Sequence, residues 1–359
     1  MPAHNAEAYV ASAVASVLRQ SFSDFELIVV DDASTDSTAA VVKSFGDQRV
    51  QCVQMSRRTG PAGARNRGLA LAHGRFVAFL DADDLAYPHR LATQAAYMDA
   101  HPDTALLGAG YDVIDASGGV LATLTNPSGT AAVRLRMLFD NVIATSLAFG
   151  SRDALLAAGP FDESLAVGED HDMWARVASR YPIARLAAVL GAYREHAGGT
   201  YRAASAEAET VRCSVVCRVI ESTLGLTISP GTAFVLGDAS GSGDYTLDDS
   251  IVALALLDAL SPAPPRAWVH GPADSAAWTG VLIEKLGTVA SKEPVLRGQA
   301  LRAAARMIRN RSWRDMLNRG AVSSLLHLAF GSIRHPCANK PRISPQVPGR
   351  VAEREGMRT

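Results

Sequence analysis

Phe76-Val77-Ala78-Phe79-Leu80-Asp81-Ala82-Asp83-Asp84 is the stretch on which the fold turns. An unbroken apolar run closed by acids reads as a buried strand of a parallel sheet whose carboxyl end opens on a cleft. The same grammar stands upstream, where Phe25 to Val30 is closed by Asp31-Asp32. Between the two lie a helix through Val41, Val42 and Phe45 capped by Ser34, Thr35 and Asp36, a strand over Val50 to Met55, and a helix from Ala62 to His73 stopped by Gly74. Strands alternating with helices imply an α/β chain. Ligands of such sheets bind beyond the carboxyl ends of the strands, where Asp31-Asp32 and Asp81 to Asp84 both fall.

Working outward, Val10, Val14, Val17 and Leu18 recur at helical spacing from Ala6 to Gln20, with Asn5 as the expected N-cap. Only Met1 and Pro2 precede Ala3-His4-Asn5, so the first strand of the alternation is expected to be missing and Met1 to be an internal methionine of a longer chain. Downstream, a helix is expected from about Pro88 to Ala100, then a hairpin of Ala105 to Val113 and Val120 to Leu124 around Ser117-Gly118-Gly119. A helix near Ala131 to Phe139, a strand around Val142 to Phe149, a helix over Asp170 to Ser179 and a strand across Ile183 to Tyr193 follow. After about Arg202 the pattern becomes helical, and from His335 it becomes a Pro- and Arg-containing tail. The chain thus divides at 1–202, 203–334 and 335–359.

Composition narrows the partners. Thirty-five Lys and Arg against 36 Asp and Glu give a net charge of -1, which argues against nucleic acid as the partner that dominates the surface. Cys52, Cys213, Cys217 and Cys337 form no CxxC pair, and Cys213 and Cys217, four apart in a helical pattern, read as buried apolar groups. No apolar run reaches membrane-spanning length, and no basic segment followed by an apolar one opens the chain. A cytoplasmic or peripheral location is the expectation.

Hard cations such as Mg²⁺ and Mn²⁺ take oxygen ligands, and a loop after a strand can point alternate side chains into one cleft. Asp81, Asp83 and Asp84 therefore suit a metal bound to a diphosphate, against the plainer reading of a solvated acidic turn. Phosphatases of the haloacid-dehalogenase type also carry DxD after an apolar strand, but there Gly-Thr usually follows, where this chain has Asp84-Leu85. Arg65 and Arg67, in a helix opened by Gly60-Pro61-Ala62-Gly63, suit a phosphate or a base edge, with a solvated helix face as the better reading for Arg67.

Five motifs in order, Pro2-Ala3-His4-Asn5, Val29-Val30-Asp31-Asp32-Ala33-Ser34-Thr35-Asp36, Gly63-Ala64-Arg65-Asn66-Arg67-Gly68, Phe79-Leu80-Asp81-Ala82-Asp83-Asp84 and Gly168-Glu169-Asp170, resemble family 2 glycosyltransferases. The resemblance covers about residues 1–200 and implies a GT-A-type fold, a Rossmann-like and mostly parallel sheet, here followed by a mainly helical C-terminal region. It implies inverting transfer from a UDP- or dTDP-like nucleotide sugar, with Mn²⁺ or Mg²⁺, to a hydroxyl of a saccharide or lipid-linked acceptor. By the same resemblance Asp32 contacts the base, with His4 bordering it and Arg65 nearby. Asp83 touches ribose or metal, Asp83 or Asp84 is the metal carboxylate with Asp81 alongside, Asp170 is the catalytic base, and His196 reaches the metal. With the first strand missing, the base pocket is expected to be loose, and a nucleotide-sugar-binding protein without turnover is the alternative.

Two features lie outside the resemblance. Asp238, Ser240, Ser242, Gly243, Asp244, Thr246 and Asp249 fall on the positions of an EF-hand-like calcium loop, but serines stand where acids are wanted and no second copy exists, so a Gly/Ser loop is expected. Between Arg297 and Arg319 seven arginines face one acid, Asp315, interleaved with Leu301, Met307, Ile308, Trp313 and Leu317. That stretch reads either as a solvated helix or as a basic face for an anionic membrane.

Overall fold

The computed structural model describes residues 1–125, 130–196, 206–237, 247–260, 272–292 and 294–309. The α/β part expected is present, carried by two sheets instead of one mostly parallel sheet. The first is wholly parallel, in the order β1 (Pro2–Ala3), β2 (Leu27–Asp31), β3 (Val50–Gln54). Every residue of β2 is buried, which is why its run of Ile28, Val29 and Val30 has no polar member. The strand expected to be missing is present as a two-residue strand: Pro2 pairs with Val30, Val30 N–H donates to Met1 O at 2.8 Å and Asp32 N–H to Ala3 O at 2.8 Å.

Helices α1 (Val10–Leu18), α2 (Thr38–Ser44) and α3 (Gly60–Leu71) connect these strands. Asn5 does not cap α1, which starts four residues later than expected. With φ of 48° it turns its Oδ1 instead to the N–H of Thr35 at 2.9 Å, fastening the loop after β1 to the loop after β2. Asp36, one residue before the N-cap Ser37, accepts the first N–H of α2, that of Thr38, at 2.9 Å.

The second sheet is mixed, in the order β4 (Phe76–Ala78), β8 (Phe149–Ser151), β6 (Leu106–Ile114), β9 (Ile183–Arg194), β5 (Leu85–Ala86), with β7 (Val120–Leu124) paired to β6 as the expected hairpin. The strand before Asp81 is thus shorter than its apolar run and pairs antiparallel with β8, and only β6 and β9 run parallel in this sheet. Helices α4 (Arg90–Ala100), α5 (Thr130–Met137), α6 (Arg152–Ala158) and α7 (Glu169–Arg180) complete this part. The strand expected around Val142 to Phe149 forms only at its end, in β8; before it stands a 3₁₀ turn, Thr145–Leu147, whose Thr145 binds Asp170 of α7 and whose Ser146 binds Asp84.

Beyond residue 205 come α8 (Ala206–Leu224), α9 (Pro230–Leu236), α10 (Leu247–Ala259), α11 (Pro272–Lys292) and α12 (Arg297–Arg309), the helical region expected. One cluster of buried apolar side chains runs from Phe79, Leu135 and Trp174 through Val216, Phe234 and Leu257 to Leu286 and Ala303. Cys213 is buried in it and Cys217 packs against it, as expected. Trp174 is fully buried against Phe79 and Phe161, with ring centroids 5.3 and 5.8 Å away in edge-on contacts. Among the described residues no helix is long and apolar enough to cross a membrane. Of the calcium-loop reading only Asp249 is described. It accepts from the Thr232 hydroxyl at 3.2 Å and from Ser229 Oγ, and so ties α10 to the start of α9. Residues 238–246, 310–319 and 335–359 lie outside the described residues.

Candidate active site

The carboxyl end of β2 delivers Asp31 and Asp32. Ala33 takes a positive φ of 55° immediately after them, which sharpens the turn. Asp32 is buried, and its Oδ1 accepts from Thr59 N–H at 2.7 Å and Thr59 Oγ1 at 2.9 Å, while Oδ2 accepts from Gly60 N–H at 2.8 Å. The start of α3 is therefore capped by this carboxylate at Thr59 and Gly60. Oδ2 keeps one acceptor position of its own. Beside it, His4 Nδ1 lies 2.8 Å from Asp32 O, so Nδ1 is the protonated nitrogen and Nε2 is the one left for a ligand.

Arg65, on α3, is buried and reaches two acids from different elements: Nη2 donates to Asp81 Oδ1 at 2.8 Å and Nη1 to Glu169 Oε1. Although burial works the other way, Asp81 and Glu169 hold the guanidinium above its ordinary value. Arg67 is exposed, consistent with a solvated helix face.

The three acids after β4 separate. Asp81 stays partly exposed, with its N–H on Ser146 Oγ at 3.0 Å. Asp83 is also partly exposed, and its Oδ2 lies 2.9 Å from His196 Nε2. Asp84 points inward: it is 1% exposed, with Oδ1 accepting from Arg194 N–H at 2.7 Å and Oδ2 from Ser146 Oγ. Burial and then the Asp83 and Asp81 charges push the Asp84 carboxyl well above the usual carboxylate range, and burial and then Asp81 raise Asp83. Arg194 holds the turn from behind through Asp83 O at 2.8 Å. Tyr9 lies against the His196 ring, with centroids 4.7 Å apart.

Gly168, at φ 80°, opens α7, a left-handed conformation that suits glycine. The next two residues are Glu169, held by Arg65, and Asp170, partly exposed. Asp170 Oδ2 accepts from Asn141 Nδ2 at 2.8 Å and Thr145 Oγ1 at 2.5 Å, and Oδ1 from the His171 N–H at 2.7 Å. Three of about four acceptor positions are thus filled and one remains on Oδ1. The N-terminus of α7 adds its favourable dipole.

Whether a divalent cation fits can be tested on the Asp83 and His196 pair. Two ligands in adjacent positions on an octahedral ion, each about 2.1 Å from it, stand roughly 3 Å apart. The observed 2.9 Å matches that span. Asp84, expected as an alternative metal carboxylate, is not brought to this pair, because both its oxygens are spent on Ser146 and Arg194. Among the described residues no group of three His, Cys, Asp or Glu side chains gathers for one ion, so the remaining ligands would come from donor oxygens and water.

Sequence reasoning placed His4, Asp32, Arg65, Asp81, Asp83, Asp170 and His196 in one region but missed Asn141, Thr145 and Ser146. Their stretch reads as an apolar strand, and no spacing rule marks the hydroxyls within it. Glu169 and Arg194 each adjoin or nearly adjoin an expected site residue, a signal that could have found them.

Residues 1–155 match the model of glycosyl transferase family 2. Over 115 residues the chain is 38% identical to UDP-Glc:alpha-D-GlcNAc-diphosphoundecaprenol beta-1,3-glucosyltransferase WfgD of Escherichia coli, covering 32% of this chain and 45% of that one. Over 180 residues it is 33% identical to the succinoglycan biosynthesis protein ExoO of Rhizobium meliloti, covering 47% of this chain and 51% of that one. The chain therefore spans about half the length of these curated relatives. Its fold is similar to the crystal structure of S. aureus TarS 1-349 in complex with UDP-GlcNAc, with a TM-score of 0.53 at 18% identity over 92% of this chain and 90% of that one. The segment that matches the glycosyl transferase family 2 model is the one that carries β1 to β8 and the acidic turn, so the likeness to that family falls on the candidate site itself.

Proposed function

We propose that this chain transfers a sugar from a nucleoside-diphosphate sugar to an acceptor hydroxyl with inversion at the anomeric carbon, and that Asp170 is the base. The observation that carries this reading is the Arg65 bridge: its 2.8 Å bond to Asp81 and its pairing with Glu169 bring the acidic turn and the start of α7 to one guanidinium. UDP is the proposed nucleotide, since the structurally similar TarS was crystallised with UDP-GlcNAc. A saccharide or lipid-linked acceptor is proposed on the WfgD likeness, whose name specifies a diphosphoundecaprenol-linked acceptor. In chain terms, residues 1–202 would be the transferase unit and 203–334 its helical support.

Inversion is one in-line displacement. The acceptor hydroxyl gives its proton to Asp170, its oxygen bonds to the anomeric carbon, and the bond from that carbon to the diphosphate oxygen breaks, releasing the nucleoside diphosphate. The acceptor position left open on Asp170 Oδ1 suits that proton. His4 and Asp32 would border the base, and Arg65, already shared between two acids, would act chiefly by fixing Asp81 and Glu169. A Mn²⁺ or Mg²⁺ ion held by Asp83 and His196, with Asp81 nearby, would neutralise charge on the departing diphosphate.

A peripheral seat at the inner face of a membrane, through residues 297–319, belongs to the same proposal. In its described part Leu301 is exposed at 38% beside the exposed Arg302, and Val295, just before the stretch, is exposed at 70%. Sedimentation with anionic and with neutral liposomes tests it, and equal sedimentation with both would remove it. For the transfer itself, release of UDP from UDP-glucose or UDP-GlcNAc with MnCl₂ is the test. Binding of UDP without any release by the wild-type chain would favour the non-turnover reading.

A further inference from the structure

The C-terminal helices touch the candidate base through a short relay of side chains. On α11, Lys285 is fully buried and donates to Asp140 Oδ2. On α8, Arg212 pairs with Asp140 Oδ1 at 3.7 Å and donates to Phe139 O at 3.3 Å. One residue before Lys285, Glu284 binds Arg136 of α5, with Nη1 to Oε1 at 2.9 Å. The end of α5 at Arg136 and the loop leaving it at Phe139 and Asp140 are thus grasped by helices whose sequence carries none of the family motifs.

The far end of that loop binds Asp170. Asn141 follows Asp140 directly, about 3.8 Å on along the backbone, and its Nδ2 donates to Asp170 Oδ2 at 2.8 Å. Asn141 Oδ1 accepts the Ile143 N–H at 3.2 Å, which turns the chain so that Thr145 Oγ1 donates to the same carboxylate oxygen at 2.5 Å. A third tie runs from His171 Nε2 to Met137 O at 2.8 Å. A buried ammonium is costly without its partner, so Lys285 fixes Asp140 firmly, and the position of Asp140 limits where Asn141 can stand.

We propose that α8 and α11 are a positioning element for the base: Lys285 and Arg212 hold Asp140, and through it Asn141 and Thr145 hold Asp170 with one acceptor position toward the cleft. This rests on the reading of Asp170 as the base. Asp140, Asn141 and Thr145 are positioning residues, and none need touch the sugar. Catalysis is sensitive to small displacements of such groups, because a misplacement of about 1 Å can cost on the order of 100-fold.

The test uses the full chain with UDP-glucose or UDP-GlcNAc and MnCl₂. It compares wild type, Asp140→Asn, Asn141→Ala, the double variant, Asp170→Asn, and Arg218→Ala, whose ion pairs with Asp162 and Asp172 at 2.8 and 3.3 Å join α8 elsewhere on the same interface. We expect Asp140→Asn and Asn141→Ala each to lower kcat about tenfold with KM for the donor unchanged, the double variant to lose little more than either, and Arg218→Ala to keep kcat while losing thermal stability. Should Asp140→Asn fail to fold, Arg212→Gln takes its place. Hydrogen exchange supplies a readout free of turnover: in Asp140→Asn, residues 139–147 and 168–172 should lose protection together, whereas in Arg218→Ala they should keep it. Protection at 168–172 unchanged in Asp140→Asn, or multiplicative losses of kcat in the double variant, would overturn the relay. Full turnover by Asp170→Asn would instead overturn the base, leaving the exchange result to judge the relay alone.

Discussion

His196 Nε2 stands 2.9 Å from Asp83 Oδ2, although 113 positions of chain separate them. The turn after β4 brings the acid, the end of β9 brings the imidazole, and Tyr9 and Arg194 hold them in place. That is the only predicted metal acid and predicted metal histidine found in contact among the described residues. We expect Asp83→Ala and His196→Ala each to raise the Mn²⁺ concentration needed for half-maximal UDP release about tenfold or more, and excess EDTA to stop release. Full turnover in EDTA would remove the metal from the site.

Asp32 is a structural cap as well as a candidate base contact. Asp32→Ala leaves the N–H groups of Thr59 and Gly60 without their acceptor, so unfolding in urea should show a loss of about 1–3 kcal/mol together with weaker UDP binding. Weaker binding with stability unchanged would mean that the cap matters little and the base contact alone is lost.

Arg65→Lys keeps the charge but not the fork. One ammonium cannot span Asp81 and Glu169 as the guanidinium does, and a buried acid left unpaired costs about 3–5 kcal/mol. Thermal melts should place Arg65→Lys well below wild type, and kcat should fall with it. Equal melting temperatures would show that the bridge is dispensable.

His171 gives the pH dependence. Burial lowers its pKa in the folded chain, so the unfolded chain binds this proton first as pH falls. Stability from this group is present above the unfolded value of about 6.5 and is lost as pH drops below it toward the folded value. The melting temperature should therefore fall by a few degrees from pH 7.5 to pH 5.5, and His171→Gln, which keeps a donor for Met137 O, should shrink that fall. The same slope in both proteins would assign the effect to other groups.

Much of this was legible in the sequence. The all-buried β2 declares itself as an apolar run because both faces are covered, and Asp31-Asp32 mark its end. The strand before Asp81 was legible as apolar but not in direction, since periodicity carries no information on which neighbour a strand pairs with. Asn5 looked like a cap and became a loop fastener, because an Asn side chain serves either role and tertiary contact with Thr35 decides. Asp83 and Asp84 look alike in sequence, yet one is partly exposed beside His196 and the other is spent inside, a distinction set by Ser146 and Arg194 far along the chain. The grip of Lys285 on Asp140 spans 145 positions and no local signal announces it.

The base is the centre of the account, and one substitution reaches it with least disturbance. Asp170→Asn keeps the shape of the side chain and an acceptor for Thr145 while removing the ability to take a proton. With UDP-glucose or UDP-GlcNAc, MnCl₂ and the full chain, we expect initial rates of UDP release to fall by about 10²–10⁴-fold while UDP binds by calorimetry as it does to wild type. An Asp170→Asn protein that releases UDP at the wild-type rate would contradict the assignment.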